Sequence, residues 1–423
     1  MKNSLKKLTK LKAATLVVGL FAGACAHATT YTYRVPAQGV TGVYDLYGGG
    51  GGPAAVPVNT VATAALGMMD GALIKTDGTL WTSGRIGGKI PSNTGDPIVA
   101  RTSFAQIAAP SKFIAVAIGQ DNASYLRDDG TIWTTGMNSY GQLGDGTTNA
   151  STGTLTQVVG TNKYVDVSVG YQFTIGLKND GTIWGSGWSA SGEFGYPGNT
   201  TVYKPVTLQG GASVVFTSIG AARDGAHALT IDGTLWGVGR NDGGGVGNGT
   251  WGAGSMQWVF PWQPLNVGGQ KIKKFAVGNW KTIALDVNGQ LWGTGNNAGE
   301  LGVATPTNTA GVWVQGAPGH VFTDIAYAGD AVLALKSDGS VWASGKNTAG
   351  QFGNGSAVGT VTTSFIRVDS GQGPFVKVMG TNENDAGFLL HQDGSLWAAG
   401  TNSSGQIGMG TTGRFKTWTK VPL

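Results

Sequence analysis

Short apolar runs alternate with glycine-rich polar stretches along most of this chain, and the alternation is periodic. At 113 to 119 the sequence reads FIAVAIG, a second run ends at Leu126, Asp129-Gly130 follows, and TIWTTG comes next. Two such runs joined by Asp-Gly predict a β-hairpin whose type I′ turn takes positive φ at both central residues. A weaker fourth strand is expected after the long polar loop, as TQVVG at 156 to 160 or KPVTL at 204 to 208. Ile132 and Trp133 are neighbours, so a strand points them to opposite faces, and both are apolar. A sheet apolar on both faces must be covered on both.

The same pattern returns as DGTLW at Trp81, DGTIW at Trp133 and Trp184, DGTLW at Trp236, NGQLW at Trp292, DGSVW at Trp342 and DGSLW at Trp397. These tryptophans lie 52, 51, 52, 56, 50 and 55 residues apart, inside the period range of propellers and solenoids. A four-stranded blade stacked between two others covers both its faces, whereas a sandwich would leave one parity polar. The fold expected is therefore all-β, a seven-bladed β-propeller of four-stranded antiparallel blades over 61–423. An open solenoid is the alternative and would need atypical capping repeats.

Eight segments qualify as fourth strands for seven units, because AAVPVN at 54 to 59 and TWTKVPL at 417 to 423 flank the array. The expectation is that the C-terminal strand completes the first blade and so closes the ring. Residues 29–60, with five glycines from Gly48 to Gly52, then form an extension and linker.

A second motif follows each hairpin, G-x-N-x-x-G-x-x-G, as Gly136, Asn138, Gly141 and Gly144, or Gly345, Asn347, Gly350 and Gly353, or Gly400, Asn402, Gly405 and Gly408. Glycine admits left-handed backbone and an Asn side chain bonds nearby backbone groups, so the motif predicts a tight structural loop. No helix follows it, which excludes a dinucleotide fingerprint.

DGTIWTTGMNSYGQLGDG, with NTAGQFGNG at 347 to 355 and NSSGQIGMG at 402 to 410, resembles the regulator of chromosome condensation repeat family, over about 61–423. That resemblance implies a seven-bladed propeller and is more specific for fold than for activity. The family often has His seven residues before the turn Asp; here those positions hold Asp70, Asn122, Phe173, Gly225, Lys281, Ala331 and Ala386. The guanine-nucleotide exchange and chromatin contact of nuclear members do not carry over to a chain read as exported and neutral.

The export reading rests on the first residues. Lys2, Lys6, Lys7, Lys10 and Lys12 precede an apolar run from Ala13 to Ala24, and Ala26-His27-Ala28 offers a small-x-small cleavage pattern. A signal peptide over 1–28 is expected, its apolar run too short to span a bilayer. Acylation of Cys25, following Ala22-Gly23-Ala24, is the alternative, a lipid anchor. Without the five leader lysines, 28 basic residues become 23, against 23 acidic ones. A neutral chain lacks the basic footprint of a nucleic-acid binder. Cys25 is the single cysteine, so no internal disulfide is available and stability must come from burial.

Catalytic groups are sparse. His227, His320 and His391 sit in different units, and neither metal-ligand spacing nor a nucleophile elbow occurs. No catalytic residue, metal or cofactor is expected. Two constellations are candidates for binding. Asp70, Asp121, Asp224, Asp330 and Asp385 lie seven or eight residues before the turn Asp, in the loop between first and second strands, with Glu383 nearby. Closure of the ring would gather them at one mouth, where they repel unless a cation, a basic ligand or a Lys/Arg neighbour compensates; the plainer alternative is that each bonds its own turn. The second is the insertion GNGTWGAGSMQWVFPWQPL at 247 to 265, which carries Trp251, Trp258, Phe260 and Trp262. Trp188, Tyr196, Tyr203, Trp280 and Trp313 come from nearby units. Large aromatics on such loops anchor partners or fold back as a lid.

The function expected is an exported, monomeric, non-enzymatic module without a membrane span, presenting loops to a protein or glycan partner. An exported inhibitor of the same repeat family works by plugging another protein's cleft, so the resemblance makes an inhibitor of an extracellular enzyme one alternative. A polysaccharide-active enzyme using the mouth carboxylates is the other.

Overall fold

The computed structural model describes residues 60–85, 91, 100–109, 111–223, 225–251, 257–303, 309, 311–381 and 383–423. The leader, the linker, the candidate strand at 54 to 59 and Asp224 lie outside them. The described residues form seven four-stranded antiparallel sheets, each a simple meander of consecutive strands, and the seven sheets make a propeller. Blade one is Val61–Leu66, Asp70–Lys75, Leu80–Arg85 and Ala100–Gln106; blade two is Phe113–Ile118, Asn122–Arg127, Ile132–Gly136 and Ser151–Gln157. Blade three is Tyr164–Val169, Phe173–Lys178, Ile183–Gly187 and Thr200–Pro205; blade four is Phe216–Ala222, Gly225–Thr230, Leu235–Arg240 and Trp258–Pro264. Blade five is Ile272–Gly278, Lys281–Asp286, Leu291–Gly295 and Val314–Gln315; blade six is Asp324–Ala328, Ala331–Leu335, Val341–Asn347 and Thr360–Arg367. Blade seven is Phe375–Gly380, Ala386–His391, Leu396–Asn402 and Gly413–Lys420.

Ring closure differs from the expectation. The C-terminal strand Gly413–Lys420 pairs with Leu396–Asn402 and completes its own blade, while Ala100–Gln106 is the fourth strand of blade one. Fourth strands begin earlier than their most apolar stretch, at Ser151 and Thr200, because register shifts between Thr134 and Gly136 and between Gly185 and Gly187 let polar residues join the ladder. The ring closes by packing. Val61, Leu66, Leu73 and Phe104 of blade one share a core with Phe388, Leu390, Leu396 and Ile407 of blade seven. Gly410 N donates to Thr102 O at 2.7 Å, Ser83 Oγ to Gln406 O at 2.9 Å and Asn384 Nδ2 to Gly67 O at 2.8 Å.

The turn chemistry also departs from type I′. Gly130 N donates to Arg127 O at 3.0 Å and only Gly130, at φ 81°, is left-handed; Asp128 and Asp129 are not. This is the longer hairpin connection with a glycine bulge, which likewise demands Gly at one position. It explains the motif's spacing. Asp129 Oδ1 accepts from Thr131 N (2.8 Å) and Thr131 Oγ1 (2.6 Å), and Thr131 Oγ1 accepts from Trp133 Nε1 at 3.0 Å. The same relay joins Asp77, Thr79 and Trp81, and Asp338, Ser340 and Trp342. Where NGQLW replaces it, Trp292 Nε1 donates to Asp286 instead. The indoles are partly buried, apart from buried Trp236, and a cation two residues before the turn Asp covers several of them, as Arg127 covers Trp133 at 3.8 Å.

The second motif holds the loop and joins blades. Asn138 Oδ1 accepts from Leu143 N at 2.9 Å while Nδ2 donates to Thr147 O and Asn149 O; Asn347 and Asn402 repeat the first bond on Phe352 and Ile407. The last glycine receives an aromatic ring from the fourth strand of the next blade, or from the residue just before it: Tyr203 on Gly144, Trp313 on Gly247, Phe365 on Gly302 and Trp418 on Gly353. Phe104 on Gly408 continues the series across the closing interface.

Candidate functional site

Because strands alternate in direction, the loops between first and second and between third and fourth strands lie at one end of the propeller. The Asp-Gly turns lie at the other. The candidate acids and the aromatic insertion therefore share one face, here called the mouth.

The acids are not equivalent. Asp70 stands seven residues before its turn Asp and the others eight, and one residue in a strand reverses the side chain. Asp70 is accordingly buried, 1% exposed, and accepts from Met69 N of its own turn at 3.1 Å. Asp121, Asp330 and Asp385 are partly exposed. Only the last two come together: Asp385 packs over Gly329, beside Asp330, and Lys346 feels both charges. Among the described residues Asp121 shares no lysine with them.

Their repulsion is relieved by two lysines. Lys281 Nζ lies 2.7 Å from Glu300 Oε1 and 2.8 Å from Asp330 Oδ1, and Lys346 Nζ lies 3.1 Å from Asp330 Oδ2. Burial pushes the Asp330 carboxyl up, but Lys281 and Lys346 outweigh it and hold its pKa below the usual carboxylate value. Gln351 Nε2 donates to Asp385 Oδ1 at 3.3 Å. Lys281, Glu300, Lys346 and Gln351 were not among the sequence candidates. Lys281 was visible only as one residue at the position where the repeat family often has His.

The aromatic insertion divides. Trp258 and Phe260 are each 46% exposed and Trp251 38%, whereas Trp262 is fully buried and its Nε1 donates to Glu193 O at 3.2 Å. Trp262 is thus the inter-blade aromatic of blade four's fourth strand, a core residue and not part of a binding surface. Trp313 and Tyr203 do the same work in blades five and three. Phe260 lies against Gly192, on the neighbouring blade's loop. Further around the mouth Trp188 meets Tyr140 at 6.1 Å, and the Arg223 guanidinium lies 5.2 Å from Trp280 and 5.7 Å from Tyr171. Tyr171, Arg223 and Trp280 come from the equivalent loops of blades three, four and five. Aromatic groups thus span blades two to five; the lysine-bridged carboxylates Glu300 and Asp330 stand on blades five and six, with Asp385 of blade seven beside them, and blade four adds the Arg240–Asp242 pair at 2.6 Å.

This geometry defines a repeat propeller whose two ends differ, one built of conserved-pattern hairpin turns and one of variable loops carrying aromatic and charged groups. Residues 129–177 match the family model described as Regulator of chromosome condensation (RCC1) repeat, and 113–142 and 164–193 match a second model of the same description. The chain carries these repeats in a seven-bladed propeller. Its sequence is similar to human E3 ubiquitin-protein ligase HERC2, 27% identical over 301 residues, covering 69% of this chain and 6% of that one. It is similar to the ultraviolet-B receptor UVR8 of Arabidopsis thaliana, 24% identical over 315 residues, covering 72% and 68%. The chain thus spans only a small part of HERC2. In fold it resembles Prp20p from Saccharomyces cerevisiae, a protein described with its binding properties to Gsp1p and histones, at TM-score 0.65 and 17% identity, covering 76% of this chain and 80% of that one.

Proposed function

We propose that the chain is an exported, non-enzymatic binding module that presents the aromatic half of its mouth to a protein partner. One observation carries this reading: Trp251, Trp258 and Phe260 stand exposed on a loop and strand fixed from beneath by buried Trp262. Rigid aromatic anchors bury much area at little cost in conformational freedom. The binding of Prp20p to Gsp1p and histones supports a protein partner over a glycan. Export rests on the leader pattern at 1–28.

An inhibitor of an extracellular enzyme is the narrower form of this reading. The carbohydrate-active alternative is disfavoured, because Asp330, held ionised by two lysines, is unsuited to serve as a general acid. Among the described residues no three His, Cys, Asp or Glu side chains are grouped to hold a metal. The test is capture from envelope and culture fluid by the mature chain. A protein retained by the wild type and lost with Trp258→Ala/Phe260→Ala supports the reading; retention by the double variant, or loss caused by Asp330→Asn instead, overturns it.

A further inference from the structure

The first strands of all seven blades surround a central chamber of about 310 Å³. Each of these strands has one edge paired with its own blade and one free. The third position from the buried residue that opens each run is Thr63, Ala115, Asp166, Ser218, Lys274, Asp324 and Lys377 in turn. Two of these carboxylates show what the free edges accept. Asp324 takes Ile325 N at 2.9 Å from its own strand and Val378 N at 3.1 Å from the next blade, and it also pairs with Lys274. Asp166 repeats the arrangement with Val167 N at 2.9 Å and Ile219 N of the next blade. A carboxylate therefore fits between adjacent inner strands at this level, bridging two backbone donors.

In blade seven the equivalent residue is Lys377. It is the one charged residue of the chamber lining, which is otherwise made of small and apolar residues such as Ala64, Ala117, Ser168 and Ala276. The Lys377 ammonium makes no hydrogen bond or ion pair with any described residue, because the neighbouring Asp324 is engaged by Lys274 and two backbone donors. Next around the ring stands blade one, with Ala64 at the position equivalent to Val378 and Ile219.

We propose that the central chamber is a binding site for a small organic carboxylate, held by the Lys377 ammonium between the inner strands of blades seven and one. The ligand takes the place that the Asp324 and Asp166 side chains fill elsewhere in the ring. Its class follows from the donors. One ammonium and a strand edge suit a planar monoanion, and a chamber of about 310 Å³ leaves room for a chain or ring beyond the carboxylate. The lysine is primed for a counter-ion, since burial and then the nearby Lys274 lower its pKa, against the pull of Asp324. An anion beside it removes that penalty.

The experiment uses the whole mature chain and sodium acetate as probe, with sodium chloride at equal ionic strength as reference. Acetate is expected to raise the wild-type unfolding midpoint above the chloride value, in a saturable way, by linkage. Calorimetric titration should show acetate affinity falling at least tenfold in Lys377→Met, whose midpoint no longer responds to acetate. Lys377→Gln gives the same reading if the Met variant does not fold. A wild type indifferent to acetate, or variants that respond as the wild type does, overturns the proposal.

Discussion

Lys281 Nζ bridges Glu300 of its own blade and Asp330 of the next, at 2.7 and 2.8 Å, from a side chain only 7% exposed. One ammonium thus ties a third-to-fourth-strand loop to the neighbouring mouth loop. In blades two, six and seven the residue equivalent to Glu300 is Gln142, Gln351 or Gln406, whose Oε1 accepts the backbone N–H two residues earlier. Glu300 makes that bond too, to Ala298 N, so the lysine neutralises a charge that blades two, six and seven do not carry; blade three has Glu193 at the same position, accepting from Ser191 N at 3.2 Å.

Removing the lysine alone should therefore be costly. Lys281→Met is expected to destabilise by about 3–5 kcal/mol, since it leaves a buried carboxylate unpaired. Adding Glu300→Gln should recover a large part, because glutamine meets the same backbone donor without charge. Urea unfolding of the single and double variants measures both. Asp330 adds a pH signature: its folded pKa is depressed, so its contribution is present above the unfolded value and fades as pH falls below about 4. That acid-side loss should be smaller in Lys281→Met.

Gly408 stands at φ 71°, and a Cβ there would lie 2.2 Å from Phe104 Cδ2. Gly408→Ala is expected to destabilise by more than about 2 kcal/mol, from left-handed strain and overpacking together. Phe104→Ala should cost about 3–5 kcal/mol by leaving a cavity between the last and first blades. The double variant should cost less than the two single losses combined, since the ring that meets the new methyl is gone. Thermal unfolding of the three chains decides it, and strict additivity would contradict the contact.

Much of this architecture was legible because it repeats. Six DG-x-x-W units and one NG-x-x-W unit revealed blade number, strand order and the reason both faces are apolar, and the Asn and Gly of the second motif do what their chemistry suggests. Ring closure was not legible, because a terminal strand that completes its own blade and one that completes the first leave the same apolar residues in sequence. The turn type escaped for a similar reason: Asp-Gly satisfies two hairpin connections, and only the hydrogen bond to Arg127 O tells them apart. The mouth was half readable. The Asp at eight residues points outward and Asp70 at seven points in, a distinction the period of two contains. Lys281 could not be found, because its partners Glu300 and Asp330 lie 19 and 49 residues away in the chain. Trp262 reads as core once it is aligned with Trp313 and Trp418 of later blades.

Buried His227 and partly buried Asp166 should give the protein an unusual pH profile between about 4 and 6.5. His227, 1% exposed with Nε2 3.1 Å from Val246 O, has its pKa pushed down by burial to about 4. The unfolded chain takes up that proton first, so stability falls as pH drops from about 6.5 towards 4, by on the order of 3 kcal/mol. Asp166, among the inner strands, is pushed up by burial to about 6. Here the folded chain takes the proton first, so stability rises as pH falls from about 6 towards 4. The two slopes oppose. Denaturant midpoints are expected to change little in the wild type over this window, to rise with pH in Asp166→Asn, and to fall with pH in His227→Gln.

Trp258 and Trp262 are four residues apart and should behave as opposites. Trp262 is fully buried, meets Phe216 at 6.3 Å and bonds the neighbouring blade through Glu193 O. Trp262→Ala is expected to cost about 3–5 kcal/mol of stability by emptying an inter-blade site. Trp258 is 46% exposed, and Trp258→Ala should leave the unfolding midpoint within about 0.5 kcal/mol of the wild type. If the aromatic half of the mouth is the binding face, Trp258→Ala still weakens the partner by about 1–3 kcal/mol, the loss of one aromatic anchor. Binding lost without stability places Trp258 in the interface. Stability lost with binding would mean that Trp258 folds back as a lid and that the face lies elsewhere.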